Sequence, residues 1–208
     1  MQYDVFISYR RKTASGWAEL VKTKMVEYGY KEERIFMDTH SLRGGDFKNR
    51  ITEAIEQSNN IVLLITENSF SDIKEKDYWV YEITKSVELH KNIVPVLFDG
   101  IQSMEELQIP ESMQGLTLLN AVPYSHVYAD ASYERLLDFL VKENEPPKNS
   151  IVSLLKKTIE EKVPVITRTV KDKIPVIKQG VTDVGEQIAQ TAKDTFRSLR
   201  EKWKELTK

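Results

Sequence analysis

Asn60-Ile61-Val62-Leu63-Leu64-Ile65-Thr66 is the most apolar run in this 208-residue chain. A short apolar run with polar ends is typical of a strand that is buried on both faces, and we expect it to form the centre of a sheet. Weaker runs of the same kind lie before and after it, and we predict strands at residues 4–9, 34–37, 93–98 and 116–120.

Helical patterns separate these predicted strands. Trp17, Val21 and Met25 recur at helical spacing, and Gly29 is placed to end that helix. Three further amphipathic helices are predicted. One begins at Phe47, one contains Glu82, and one spans residues 133–142. Strands that alternate with helices at this interval predict an α/β fold, a flavodoxin-like parallel sheet with helices on both faces.

Composition excludes several classes of site. The chain contains no Cys, which rules out disulfides, thiolate nucleophiles and Cys-based zinc sites. His40, His90 and His126 lack metal-ligand spacing, so we expect no metal and no bound cofactor. The sequence also lacks a signal segment and an apolar run long enough to span a membrane, so we expect a cytoplasmic protein.

Charge is distributed unevenly along the chain. Residues 151–208 hold 13 Lys and Arg against 8 Asp and Glu, whereas residues 1–150 hold 17 against 24. An acidic domain argues against nucleic acid as its partner. The basic tail could still attract an anionic surface.

Ligands of parallel α/β sheets bind outside the carboxyl ends of the strands. Arg10 and Arg11 follow the first strand, where a phosphate would need them, and Asp38 follows the second, near a ribose hydroxyl. The alternative for both arginines is a solvated loop. The sequence has no Gly-x-Gly-x-x-Gly or Gly-Lys-Ser/Thr motif, so it supports neither a Rossmann dinucleotide site nor a P-loop.

The stretch Asp77-Tyr78-Trp79-Val80-Tyr81-Glu82-Ile83 combines carboxylates with aromatic rings. On a helix Glu82 lies three residues after Trp79 and four after Tyr78, so we expect all three on one face. Such a carboxylate could hold a ribose and stabilise a growing positive charge. The alternative is a surface glutamate beside two half-buried aromatic side chains.

Six blocks of the sequence are informative through their order and spacing: Tyr3-Asp4-Val5-Phe6-Ile7-Ser8-Tyr9-Arg10-Arg11, Phe36-Met37-Asp38, Leu42-Arg43-Gly44-Gly45-Asp46-Phe47, Ala54-Ile55-Glu56-Gln57-Ser58, Glu82-Ile83 and Lys91-Asn92-Ile93-Val94-Pro95. In this order and spacing they resemble the Toll/interleukin-1 receptor (TIR) domain over residues 1–143.

The resemblance implies a function and a set of site residues. Many bacterial and plant TIR domains cleave NAD+ at the nicotinamide–ribose bond, with NAD+ as substrate rather than cofactor, and the essential glutamate of that branch corresponds to Glu82. Carried over by position, the substrate-binding residues are Tyr9, Arg10, Asp38, Gly45, Phe47 and Trp79. In the family the tryptophan usually lies four residues before the glutamate, where this chain has Tyr78.

Two functions remain open from the sequence. The first is an NAD+ glycohydrolase or ADP-ribosyl cyclase in bacterial defence or virulence signalling. The second is a non-enzymatic module that acts through TIR–TIR contacts. Animal adaptors commonly carry proline where this chain has Arg43-Gly44-Gly45, so the loop resembles the NAD-cleaving branch more closely.

Residues 144–150 have the composition of a linker, and residues 151–208 repeat every eleven positions. Eleven residues make three helical turns, so the apolar positions form one stripe along a helix. We expect a helical tail with three competing roles, namely a right-handed coiled coil for self-association, a helix lying on an anionic lipid surface, or a loosely ordered segment. Pro164 and Pro175 argue against one long helix.

Overall fold

The computed structural model describes residues 2–38, 47–73 and 77–151, together with residues 153, 154 and 157. The compact unit runs from Met1 to Ser153, so it includes the segment 144–150 that composition predicts to be a linker. The predicted tail beyond it lies outside the described residues.

Five parallel strands form one sheet in the order β2-β1-β3-β4-β5. The strands are β1 (Tyr3–Tyr9), β2 (Ile35–Met37), β3 (Ser58–Ile65), β4 (Asn92–Leu97) and β5 (Val122–Pro123). The flavodoxin-like fold predicted from the sequence is therefore confirmed. In this order the chain reverses direction across the sheet between β1 and β3, which is the topological switch point where such folds bind ligands.

In the described part of the chain, four α-helices cover the sheet: α1 (Arg11–Glu27), α2 (Phe47–Glu56), α3 (Tyr78–Glu88) and α4 (Ala129–Phe139). Side chains of β1 alternate between its two faces. Val5 and Ile7 share one apolar cluster with α1 and α4, whereas Phe6 and Ser8 face the opposite side, where α2 and α3 pack. The site described below lies on the α3 side.

The end of α1 agrees with the prediction. Tyr28 is its C-terminal cap, and the next residue, Gly29, has a φ of +94°. A positive φ is readily adopted only by glycine, so Gly29 ends the helix as expected.

The strand predicted at residues 116–120 is wrong. Residues 116–118 lie in a 3-10 helix, Glu111–Leu118, Leu119 is its C-terminal cap, and the edge strand β5 follows at Val122–Pro123. Met113, Leu116 and Leu119 are all buried. Their spacing of three residues matches one face of a 3-10 helix rather than the two-residue period of a strand.

The last helix begins and ends earlier than the predicted 133–142, and buried asparagines bind the backbone where it ends. Asn92 Nδ2 donates to the carbonyl of Phe139 at 2.9 Å, and the backbone N–H of Val141 donates to Asn60 Oδ1 at 2.8 Å. These bonds hold residues 139–141 at the amino ends of β3 and β4, and α4 stops at Phe139.

Candidate active site

Asp77 fixes where α3 begins. Its side chain accepts a hydrogen bond from the backbone N–H of Trp79 at 3.0 Å, as expected of an N-cap residue. With the helix starting at Tyr78, Trp79 and Glu82 lie on its buried face. This face points toward the carboxyl end of β1.

Glu82 is buried, with 7% of its surface exposed. Ser8 Oγ, at the carboxyl end of β1, donates to Glu82 Oε2 at 2.6 Å. The two residues are 74 positions apart in the sequence, so only the tertiary fold brings them together.

Burial raises the pKa of Glu82 to about 8, because removal from water disfavours the charged form. The hydrogen bond from Ser8 acts in the opposite direction, and so does the positive charge of Arg11. Asp38 and Asp77 add smaller upward contributions. The carboxyl group is therefore mostly protonated at neutral pH when the site is empty.

Trp79 and Tyr78 differ in burial. Trp79 is buried and packs at a ring-centroid distance of 5.4 Å against Phe70, in the loop after β3. Tyr78 is 52% exposed, so the expectation that it shares a face with Trp79 and Glu82 is wrong. The buried residues of α3 are Trp79, Glu82, Ile83 and Ser86, and Tyr78, the first residue of the helix, lies at the edge of that face.

Arg10 holds the loop between β3 and α3. Its guanidinium donates to the carbonyl oxygens of Ser69, Ser71 and Asp72 and pairs with Asp77 Oδ2 at 2.9 Å. These bonds occupy both terminal nitrogens of the Arg10 guanidinium. The sequence predicts that this group binds a phosphate. A role for Arg10 in binding substrate stays a prediction.

Asp38 links two residues, Tyr9 and Arg11, at the neighbouring strand ends. Tyr9 donates its hydroxyl to the carbonyl oxygen of Asp38 at 2.9 Å, and Arg11 forms an ion pair with the Asp38 carboxylate. Burial raises the pKa of Tyr9, which therefore stays protonated and acts as a donor. The structure thus brings Tyr9, Arg11, Asp38 and Glu82 to one edge of the sheet.

Gly45 lies outside the described residues. Phe47 is the first residue of α2, and its side chain is likewise outside them. Their predicted places in the loop wall stay predictions.

Sequence reasoning missed Ser8 and Phe70 as site residues. Ser8 carried a detectable signal, because it is a polar residue closing the apolar run of β1 on the same face as Phe6. Phe70 carried none, since its contact with Trp79 depends on the path of a loop.

Within residues 2–38, 47–73 and 77–151, no three His, Asp or Glu side chains come together as a metal site. In the same ranges no helix has the length and apolar character required to cross a membrane.

Comparison with known proteins identifies the family. The family model described as "TIR domain" matches residues 5–137. The chain belongs to the TIR domain family. Among solved structures, the TIR domains of the activated Roq1 resistosome superpose with a TM-score of 0.51 at 19% identity, covering 66% of this chain and 98% of that one, which supports the TIR fold.

Two curated relatives are named as NAD(+) hydrolases. The zebrafish (Danio rerio) "NAD(+) hydrolase SARM1" is 33% identical over 141 residues, or 66% of this chain and 19% of that protein. The Caenorhabditis elegans "NAD(+) hydrolase tir-1" is 31% identical over 169 residues, or 77% of this chain and 17% of that protein. This TIR chain therefore spans about a fifth of the length of these relatives.

Proposed function

We propose that this TIR protein cleaves the nicotinamide–ribose bond of NAD+, with Glu82 as the catalytic residue. The observation that carries the proposal is a buried carboxyl group at the topological switch point of the sheet, beside a buried tryptophan. The similarity to two proteins named as NAD(+) hydrolases supports it.

The reaction needs little covalent help from the protein. The bond between ribose C1′ and the nicotinamide nitrogen breaks, and its electron pair leaves with the nitrogen, so nicotinamide departs as a neutral molecule. Positive charge then develops on C1′ and the ring oxygen of the ribose. A carboxylate held in a dry cleft stabilises that charge more strongly than water would, because the surrounding dielectric is low.

Glu82 must lose its proton to act in this way. The pyridinium ring of NAD+ carries a positive charge, and a cation nearby favours the carboxylate form. Substrate binding therefore promotes ionisation of Glu82. In the carboxylate form one oxygen accepts from Ser8, and the other is left to accept from a ribose hydroxyl.

Water that attacks C1′ and then loses a proton yields ADP-ribose. Attack by a nitrogen of the adenine ring instead yields a cyclic product with no net consumption of water. Both outcomes follow from the same oxocarbenium-like state, so hydrolase and cyclase chemistry share Glu82.

The remaining substrate-binding roles belong to the same proposal. Trp79, packed on Phe70, supplies an apolar wall, and Tyr9 with Asp38 lines the floor of the cleft. Gly45 and Phe47 form the loop wall next to nicotinamide. Arg10 orders the loop before α3, with binding of substrate phosphate as its second role.

Self-association through the TIR domain and the repeat tail is the proposed mode of regulation. Tethering copies through the tail raises their local concentration, which promotes weak contacts between domains. Binding of the basic tail to an anionic lipid surface would have the same effect at the membrane periphery. Bacterial defence or virulence signalling is the proposed setting, in the cytoplasm.

One observation favours the alternative, a TIR–TIR interaction module without catalysis. Val127 and Tyr128, next to the start of α4, are 81% and 70% exposed. Exposed apolar side chains of this size are common at protein interfaces. For such a module, replacing Glu82 would leave assembly and signalling intact.

Product analysis separates the two functions. Purified protein at high concentration is incubated with NAD+, with and without anionic liposomes, beside the variant Glu82→Gln, and products are resolved by chromatography. Nicotinamide release by the wild type alone supports the enzyme, and the second product distinguishes hydrolysis from cyclisation. No release from either protein under any condition would contradict the enzyme.

A further inference from the structure

Ser8 is a polar residue placed inside an apolar layer of the fold. It is fully buried, and its neighbour in the sheet is Leu63 of β3. On the same face of β1, Phe6 packs against Phe36. A buried hydroxyl in such surroundings costs free energy unless it forms a hydrogen bond, so the residue needs a partner at this position.

That partner is the carboxyl group of Glu82. Ser8 Oγ donates to Glu82 Oε2 at 2.6 Å, and both side chains are buried. Within the part of the chain that the structure describes, the hydrogen bond to the Glu82 carboxyl group comes from Ser8. The nearby Asp77 and Arg10 bind each other and the loop instead.

Placement on a strand makes the contact rigid. Ser8 lies in the second strand of the sheet, between β2 and β3, and its short side chain has one rotatable bond to a heavy atom. Glu82 projects from a helix on a longer, more flexible side chain, so its carboxyl group alone has several accessible orientations. A fixed donor selects one of them.

We propose that Ser8 is a positioning residue that orients the Glu82 carboxylate and favours its ionised form, leaving the second carboxylate oxygen free for the substrate. The inference rests on the proposed function for its catalytic consequence, whereas the effect on the carboxyl group itself is independent of turnover.

The test compares three substitutions of Ser8 with a matched control. Ser8→Ala removes the donor, Ser8→Cys keeps nearly the same size with a weak donor, and Ser8→Thr retains the hydroxyl. The control is Ser58→Ala, since Ser58 is also buried in a strand and donates at 2.6 Å, but to the carbonyl of Ala54 at the opposite end of the sheet.

The first readout is titration of Glu82 by carbon-13 NMR, which requires no activity. We expect the midpoint to move upward by about one pH unit in Ser8→Ala and Ser8→Cys, because a hydrogen bond to the charged form is lost. Ser8→Thr and Ser58→Ala should titrate like the wild type. If Ser8→Ala does not fold, Ser8→Cys carries the comparison.

The second readout is the pH profile of nicotinamide release. Ser8→Ala and Ser8→Cys should lose about 10- to 100-fold in kcat, as expected for a misplaced catalytic group, and their profiles should shift to higher pH. If the wild type does not turn over NAD+, the proposed function is contradicted. The NMR titration of Glu82 still tests the role of Ser8 in that case. An unchanged Glu82 titration in Ser8→Ala and Ser8→Cys would overturn it.

Discussion

Arg10 and Asp77 form an ion pair at 2.9 Å that joins the carboxyl end of β1 to the start of α3. Asp77 uses its two carboxylate oxygens for different tasks, because Oδ1 caps the helix and Oδ2 binds Arg10. Arg11 directly follows Arg10, and Trp79 lies two residues after Asp77 on the buried face of α3 that also carries Glu82. The pair therefore sets the position of α3, and with it Glu82, relative to the sheet.

Replacing Arg10 should weaken both the fold and the site. Arg10→Ala leaves Asp77 largely buried without its partner and frees three loop carbonyls, so we expect a loss of about 3 kcal/mol in the free energy of unfolding. Arg10→Lys should recover only part of it, since an ammonium cannot reproduce the planar fork. Urea denaturation measures both.

Lys12→Ala is the matched control for Arg10. Lys12 lies 4.0 Å from Asp72, and both side chains are at least 80% exposed. An exposed pair of this kind contributes little, so the change should stay below about 0.5 kcal/mol. Equal effects of Arg10→Ala and Lys12→Ala would contradict a structural role for Arg10.

Glu82 should make stability depend on pH. Burial raises the pKa of Glu82 to about 8 in the folded protein, against 4.5 for a solvated glutamate. Between these values the folded chain keeps a proton that the unfolded chain has lost. The contribution of Glu82 to stability is therefore complete below about pH 4.5 and is lost as the pH rises through 8.

Glu82→Gln removes this dependence. We expect the variant to gain stability over the wild type as the pH increases, by on the order of 4 kcal/mol between pH 5 and pH 9. Glu53→Gln, at an exposed position of α2, should follow the wild type. Parallel stability curves for Glu82→Gln and the wild type would show that the carboxyl group is not desolvated.

Trp79 and Tyr78 should respond differently to the same substitution. Trp79→Ala removes a buried ring packed on Phe70 and should cost about 3–5 kcal/mol. Tyr78→Ala removes a side chain that is 52% exposed and should cost less than about 1 kcal/mol. Thermal unfolding of both variants gives the comparison, and the reverse order would place Tyr78 rather than Trp79 against the core.

Asn149 should matter far more than its place in a Pro-containing segment suggests. Its side chain donates to the carbonyls of Ile93 and Asn120 and accepts from the backbone N–H of Asn120 at 2.9 Å. Asn149→Ala removes these hydrogen bonds and leaves the buried carbonyl of Ile93 without this donor, so we expect a loss of about 2–3 kcal/mol, measured by urea denaturation. Asn68→Ala, at an exposed position, should change stability by less than about 0.5 kcal/mol.

The sequence predicts most of the fold because its signal there is local. The apolar run at residues 60–66 became β3, and the helical spacing from Trp17 to Met25 became α1, ended by Gly29. Residues 116–120 misled the prediction because a short apolar stretch does not distinguish a strand from a 3-10 helix.

The site was predicted only in part, for a similar reason. Glu82 was identified by its place in a motif, whereas its link to Ser8 joins residues 74 positions apart and leaves no local pattern. Arg10 was expected near a phosphate because strand ends bind ligands, but the hydrogen bonds that hold it to the loop depend on the path of residues 69–72. Asn149 looked like part of a linker because composition does not report burial.

The most direct test of the account is the pH dependence of kcat/KM for nicotinamide release from NAD+, by the wild type and by Glu82→Gln. Because kcat/KM reports the ionisation of the free enzyme, it should rise with pH and level off above about 8 in the wild type. Glu82→Gln should release no nicotinamide at any pH. A Glu82→Gln variant that retains activity with the wild-type profile would contradict the assignment of Glu82 as the catalytic carboxylate.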